Sequence, residues 1–186
     1  MARHPQFTAF ARLLHWAMAA LILAMLLIGI GMVGSLGNYG RLVAIHKPLG
    51  MVILVLVAVR LVYRLVQPPP PLPRAMPGWQ RFFAHASHVL LYLLMFALPL
   101  VGWGMLSAAG YPIVLYGAWQ LPSILPLDVM LYAWLRCAHT VLAFLLFFLF
   151  LAHLGAALLH GLVFRDGVLQ SMLPLRSRAE RRAVHP

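Results

Sequence analysis

Apolar residues fall into four long blocks along the 186-residue chain, at 13–33, 49–66, 88–106 and 135–164. Each is close to or above the roughly 20 apolar residues that an α-helix needs to cross a bilayer. The pattern predicts an all-α fold, a four-helix transmembrane bundle. The first block is too long for a cleavable leader and no small-residue cleavage site follows it, so it reads as a retained helix. Between the blocks the chain changes character. QPPPPLPRAMPG, residues 67–78, predicts a stiff, extended link. Residues 107–134 are fairly apolar but broken by Pro112, Pro122 and Pro126. That argues against a fifth span and predicts an interfacial cap rich in Tyr and Trp. The bundle is expected to occupy residues 1–175, followed by a basic, disordered tail at 176–186 that includes RAERRAVHP.

Composition agrees with membrane embedding. The chain is 63% hydrophobic and only 9% charged, with a mean hydropathy of +0.92, too little charge for a soluble domain of this size. Against 3 Asp+Glu stand 14 Lys+Arg, a net charge of +11. In a soluble protein that excess would point to nucleic acid. Here the basic residues sit mainly in loops and tails, where they set topology and meet anionic lipid, so no nucleic-acid partner is expected. Arg3 and Arg12, then Arg60, Arg64, Arg74 and Arg81, then Arg165, Arg176, Arg178, Arg181 and Arg182 share one side of a four-span protein. Only Arg41, Lys47 and Arg136 lie on the other. The positive-inside rule then puts both termini in the cytoplasm. The single cysteine, Cys137, excludes an internal disulfide, a CxxC pair and a thiolate cluster, and reads as a small packing residue.

Histidines are what the apolar pattern does not explain. HTVLAFLLFFLFLAHLGAALLH carries three of them, His139, His153 and His160. His139 and His153 are 14 residues apart, which on a helix returns to nearly the same face about 21 Å further along. His160 follows on almost the same stripe. Topology sorts the rest by depth. His46 shares the outer leaflet with His139, while His15, His88, His153 and His160 share the inner one. His4 and His185 lie in the tails and carry no assignment. Interhelical hydrogen-bond glue is the plain reading of any single histidine. A proton path usually needs intramembrane carboxylates, and Asp128, Asp166 and Glu180 all lie outside the spans. Zinc wants three or four clustered ligands, whereas these are spread over the membrane thickness. Axial ligation of haem fits the remaining facts. A neutral imidazole buries no charge, and iron takes up its lone pair. Two haems stacked across the bilayer would sit about 20 Å apart, matching the 14-residue spacing. Gly50, Gly102 and Gly104 are expected to make room for a flat porphyrin, with close helix packing as the alternative. Met18, Met25 and Met32 read as core or lipid-facing.

Taken in order, several segments carry a resemblance. These are RLLHW, AIHKPLG, VRLVYRL before the proline run, AHASHVLLYLLMFALPLVG, the GYP…YG…P cap, CAHTVLAF, LAHLGAALLH and RDGVLQSMLP. Together they resemble the bacterial cytochrome b561 family, small dihaem, quinone-linked cytochromes of the inner membrane, over nearly the whole chain. The resemblance implies two haem b groups with His15, His46, His139 and His153 as ligands, and ubiquinone as acceptor. Depth then pairs His46 with His139 at the periplasmic haem and His15 with His153 at the cytoplasmic one. His88 rivals His15 there, and the sequence leaves that choice open; with His85 it is otherwise expected as a neighbour of the ligands or of the haem propionates. His160 matches a family histidine beside the inner haem. It is expected to hydrogen-bond a quinone carbonyl or relay its protons, with a simple interface histidine as the alternative.

Some members of the family pass electrons from superoxide to ubiquinone. The expected function is therefore electron transfer across the membrane to ubiquinone, with oxidation of superoxide to dioxygen at the periplasmic face. Arg41, Lys47 and Arg136, opposed there by Asp128 alone, would steer the anion, unless they merely anchor helix ends. The rival reading is a cytochrome b anchor subunit, passing electrons between a partner dehydrogenase or hydrogenase and the quinone pool and docking through the cap. Expected partners are thus membrane lipid, quinone, superoxide and a redox partner protein.

Overall fold

A computed structural model describes residues 6–73, 75–111, 113–116 and 119–173. The helices are longer than the apolar blocks that announce them. Helix α1 spans Ala9–Gly34, α2 Tyr39–Val66, α3 Gly78–Ala108 and α4 Val129–Leu159. A 3-10 turn at Leu36–Asn38 joins α1 to α2. The α4 helix continues as a π-helical turn, His160–Phe164, before a short α5 at Val168–Met172.

Polar caps open two of the helices, α1 and α4. Thr8 Oγ1 accepts from Ala11 N at 3.2 Å to open α1. Asp128 Oδ1 accepts from Met130 N at 2.8 Å and Leu131 N at 3.0 Å to open α4. Such caps satisfy backbone donors that the first helical turn leaves free. The α2 helix begins at Tyr39, well before the apolar block, so His46 and Pro48 lie inside it. Pro48 forfeits the hydrogen bond to the Ala44 carbonyl without ending the helix.

The bundle runs up and down, with α1 against α2, α2 against α3 and α3 against α4. Backbone contact of α4 within the bundle is chiefly with α3; α1 and α2 stand further from it. Phe7 N donates to Ser171 O at 3.3 Å, which brings the two described ends of the chain to one end of the bundle. The core lies midway. Met18 and Ile22, Ile53 and Val57, Leu94, Met95 and Leu98, and Leu146 come from α1, α2, α3 and α4 respectively. Met18 is therefore core. Large apolar side chains such as Leu27, Val55, Leu93 and Phe148 point outward. All four helices are long and apolar enough to cross a membrane, so this outer surface suits hydrocarbon. Cys137 is exposed on α4 and is not a packing residue as the sequence suggested, because α4 buries little of its circumference within the bundle.

The opposite end is closed by the cap. Its first residues belong to α3 and its last to α4. Between them β1 (Val114–Tyr116) pairs antiparallel with β2 (Trp119–Gln120). Trp103 Nε1 donates to Pro122 O at 3.0 Å, and Ser107 Oγ accepts from Ile124 N at 3.2 Å. A Cβ on Gly104 would come within 2.9 Å of Leu125 Cδ1, so this glycine seats the cap. Residues 68–73 of the proline link carry no helix or strand. The tail at 176–186 lies outside the described residues.

Candidate functional site

Two pairs of histidine rings face each other at opposite ends of the bundle. At the hairpin end His46 of α2 and His139 of α4 have ring centroids 6.2 Å apart, inclined at 67°. At the terminal end His15 of α1 and His153 of α4 stand 6.3 Å apart at 77°. These rings reach across the seam where α4 stands off from α1 and α2. Two metal–imidazole bonds of about 2.0 Å each, laid end to end, put opposed ring centroids about 6 Å apart. Both ring separations therefore fit a metal held between two imidazoles.

The nitrogen atoms at the hairpin end support the same fit. His46 Nδ1 and His139 Nδ1 are buried without a hydrogen-bond partner. The Leu98 carbonyl lies near the His139 ring, without a hydrogen bond to Nδ1. A metal at Nε2 keeps the proton on Nδ1, and metal-bound histidines usually donate that proton to a carbonyl or carboxylate. Leu98 O is the acceptor at hand. Gly102 backs the same ring: a Cβ there would sit 3.3 Å from His139 Cε1 and 3.5 Å from Nδ1. Gly50 instead meets the flexible end of Met25, at 3.3 Å. Of the three glycines singled out in the sequence, only Gly102 touches a paired histidine.

At the terminal end a third ring joins the pair. His88 lies 5.2 Å from His153, centroid to centroid, at 81°. That is about 1 Å less than two metal–imidazole bonds in line require. Its Nδ1 donates to Ala84 O at 2.5 Å, which holds the ring beside the pair. His85 donates from Nδ1 to Arg81 O at 2.7 Å and is exposed. It meets none of the other histidine rings among the described residues.

Sequence reasoning counted Arg60 and Arg64 with the loop charges. Both lie within α2. Arg60 is partly buried, and its Nε donates to Tyr92 Oη at 3.1 Å. Tyr92 lies one turn along α3 from His88, whose ring is 5.2 Å from that of His153. The available signal was an arginine inside an unbroken apolar run, LVLVAVRLVY.

His160 occupies a separate structure, and Asp166 is its unforeseen partner. His160 Nδ1 donates to Asp166 Oδ2 at 2.6 Å. Asp166 Oδ1 accepts from Val168 N at 3.1 Å, which fixes the carboxylate. The chain reaches this geometry through left-handed backbone on both sides of Asp166, at Arg165 (φ 51°) and Gly167 (φ 88°). Arg165 pays about 1 kcal/mol for that conformation. Strained residues and π-turns both concentrate at functional sites. A Cβ on Gly161 would strike the Leu169 side chain, so its absence lets α5 close on the π-turn. Trp16 Nε1 donates to Met172 O at 2.8 Å, tying α5 to α1 one residue after His15.

Of the cations at the hairpin end, Arg41 and Arg136 are exposed and Lys47 is half-buried beside His46. Arg136 Nη1 donates to Tyr132 Oη at 3.3 Å, one turn earlier on α4. The neighbouring Asp128 carboxylate caps α4.

Known proteins resemble this chain over most of its length. A family model described as prokaryotic cytochrome b561 matches residues 6–175. Cytochrome b561 homolog 2 of Escherichia coli K12 is 31% identical over 163 residues, covering 86% of each chain. The probable superoxide oxidase CybB of Yersinia pestis is 34% identical over 131 residues, 70% of this chain and 73% of its own. Cytochrome b561 homolog 1 of Escherichia coli K12 is 30% identical over 131 residues, 70% of this chain and 74% of its own.

Proposed function

The chain belongs to the prokaryotic cytochrome b561 family, and from that membership we propose that it moves electrons from superoxide at the hairpin end to ubiquinone at the end holding both chain termini. As a family member it is a haem b-binding, multi-pass membrane protein of electron transfer, an oxidoreductase. The proposal goes further in assigning two haems, one to His46 and His139 and one to His15 and His153. When bound, these groups supply one-electron redox chemistry that side chains alone do not. The observation that carries the reading is the match between the two ring separations, 6.2 and 6.3 Å, at opposite ends of one bundle.

The overall reaction balances simply. Two superoxide anions give two dioxygen molecules and two electrons; ubiquinone takes those electrons with two protons and becomes ubiquinol. Arg41, Lys47 and Arg136 supply the field that draws a small anion to the hairpin end. His160 gives a proton from Nε2 to a quinone carbonyl oxygen while Asp166 holds Nδ1. The excess of Lys and Arg at the terminal end supports a cytoplasmic location for it, in the bacterial inner membrane. The whole of 1–175 acts as one domain, and the basic residues of 176–186 meet anionic lipid. Superoxide as donor draws support from the relative named a probable superoxide oxidase.

The test is purification in detergent, haem quantified per chain, reduced-minus-oxidised spectra, and ubiquinol formation driven by a superoxide-generating system. Two low-spin b haems and superoxide-dependent ubiquinol are expected. A folded protein without haem, made with ample haem supply, would sink the redox reading. Quinone reduction that requires a copurifying dehydrogenase or hydrogenase would favour the anchor subunit, for which the exposed Trp119, Leu127 and Val129 at the hairpin end offer a docking surface.

A smaller effect follows at Gly102. Gly102→Ala pushes a methyl against the His139 ring, and overpacking of this kind costs about 1–3 kcal/mol. Haem affinity at the hairpin end should fall roughly tenfold, while the haem at the terminal end stays in place. Haem content after graded detergent washing reads the difference. Equal retention at both ends would show that the ring has slack.

A further inference from the structure

Arg60 is a charge that neither topology nor the two histidine pairs requires. It lies six residues inside the end of α2, about 9 Å along the axis, and is partly buried. With Leu14, Tyr92 and Met172 it lines a small cleft at the terminal end, and Arg64, one turn on, lines it too; Leu14 directly precedes His15 in α1. Among the described residues the one ion pair joins His160 to Asp166, and no carboxylate faces either guanidinium there. A charged side chain within a membrane span is costly and normally meets a partner. Here the side-chain partner of Arg60 among the described residues is the neutral Tyr92 hydroxyl.

Resting on the haem reading above, we propose that Arg60, backed by Arg64, binds the propionate carboxylates of the haem held by His15 and His153 and raises the midpoint potential of that haem. A guanidinium presents its donors as a planar fork that matches a carboxylate. The Tyr92 hydroxyl takes the Nε–H, which orients the fork and leaves both Nη groups for a ligand. The same hydroxyl, having accepted one hydrogen bond, keeps its own proton to donate. A fixed cation beside the cleft also favours the reduced iron, which carries one positive charge fewer. The competing source of such an anion is the phosphate of a lipid headgroup. Propionates are favoured because Arg60 lies inside the span and holds Tyr92, one helical turn along α3 from His88, whose ring lies 5.2 Å from His153.

The experiment is a spectroelectrochemical titration of purified wild-type, Arg60→Gln and Arg60→Lys proteins, with resonance Raman spectra of the propionate bending modes and bound lipid measured as phosphorus. In Arg60→Gln the haem that disappears in His153→Ala should titrate at a lower potential with altered propionate bands. The other haem should not move. Arg60→Lys should restore most of the shift. If Arg60→Gln instead loses that haem, retention of it by Arg60→Lys still supports the proposal. Unshifted potentials and bands in Arg60→Gln would overturn it, as would equal haem loss in both variants. Release of phospholipid with the haems unchanged would reassign the cleft to a headgroup. A wild-type protein without haem would instead refute the reading on which the proposal rests.

Discussion

His153→Ala loses the haem at the terminal end and keeps the one at the hairpin end, and His139→Ala does the reverse. The expectation rests on the two-ended arrangement of the rings. His153 faces His15 at 6.3 Å and His139 faces His46 at 6.2 Å, and the apolar layer from Met18 to Leu146 separates the pairs. Under the proposed ligation, removing one ring would leave the iron with a single protein ligand. Haem per chain should fall from about two to about one in each variant, with spectrally distinct losses. Quinone reduction driven from the hairpin end should drop to background in both, since either loss interrupts the path. His88 supplies the strongest challenge, because its ring lies 5.2 Å from His153. Retention of the terminal haem in His15→Ala, with its loss in His88→Ala, would reassign the pair.

The second large effect is expected at His160. His160→Ala should keep both haems and slow the reoxidation of chemically reduced protein by a short-chain ubiquinone about a hundredfold, the usual scale for a lost general acid. Asp166→Asn should slow it less, about tenfold on the same scale, because an amide still accepts from Nδ1 but no longer stabilises a positively charged ring. The structure couples the two residues at 2.6 Å and holds the carboxylate through Val168 N. Stopped-flow reoxidation isolates this step from the donor reaction. An unchanged rate in His160→Ala would return His160 and its π-turn to a purely structural role. Loss of a haem in that variant, with none lost in His153→Ala, would exchange their assignments.

The four helices were legible because hydrocarbon imposes a length and a composition that few other environments demand. Their ends were less so. Tyr39 and Val129 begin helices well ahead of the apolar blocks, where caps and backbone hydrogen bonds, not hydropathy, set the boundary. Depth, and with it the two-ended division of the histidines, was also available, since a helix rises by a fixed distance per residue.

Read alone, the chain therefore yields one-dimensional quantities: span number, histidine depth, charge by side, and the segments that resemble the cytochrome b561 family. Tertiary structure decided the lateral ones. It set the opposed ring separation of His15 from His153 against the closer approach of His88, and joined His160 to an aspartate across a strained turn. It turned Arg60 inward to Tyr92, left Cys137 on the outer surface, and set Gly102 against a ring while Gly104 seats the cap. The physical reason is that hydropathy fixes where a residue lies along the membrane normal, whereas its azimuth and its neighbour depend on how four helices, similar in their apolar faces, pack side chain against side chain.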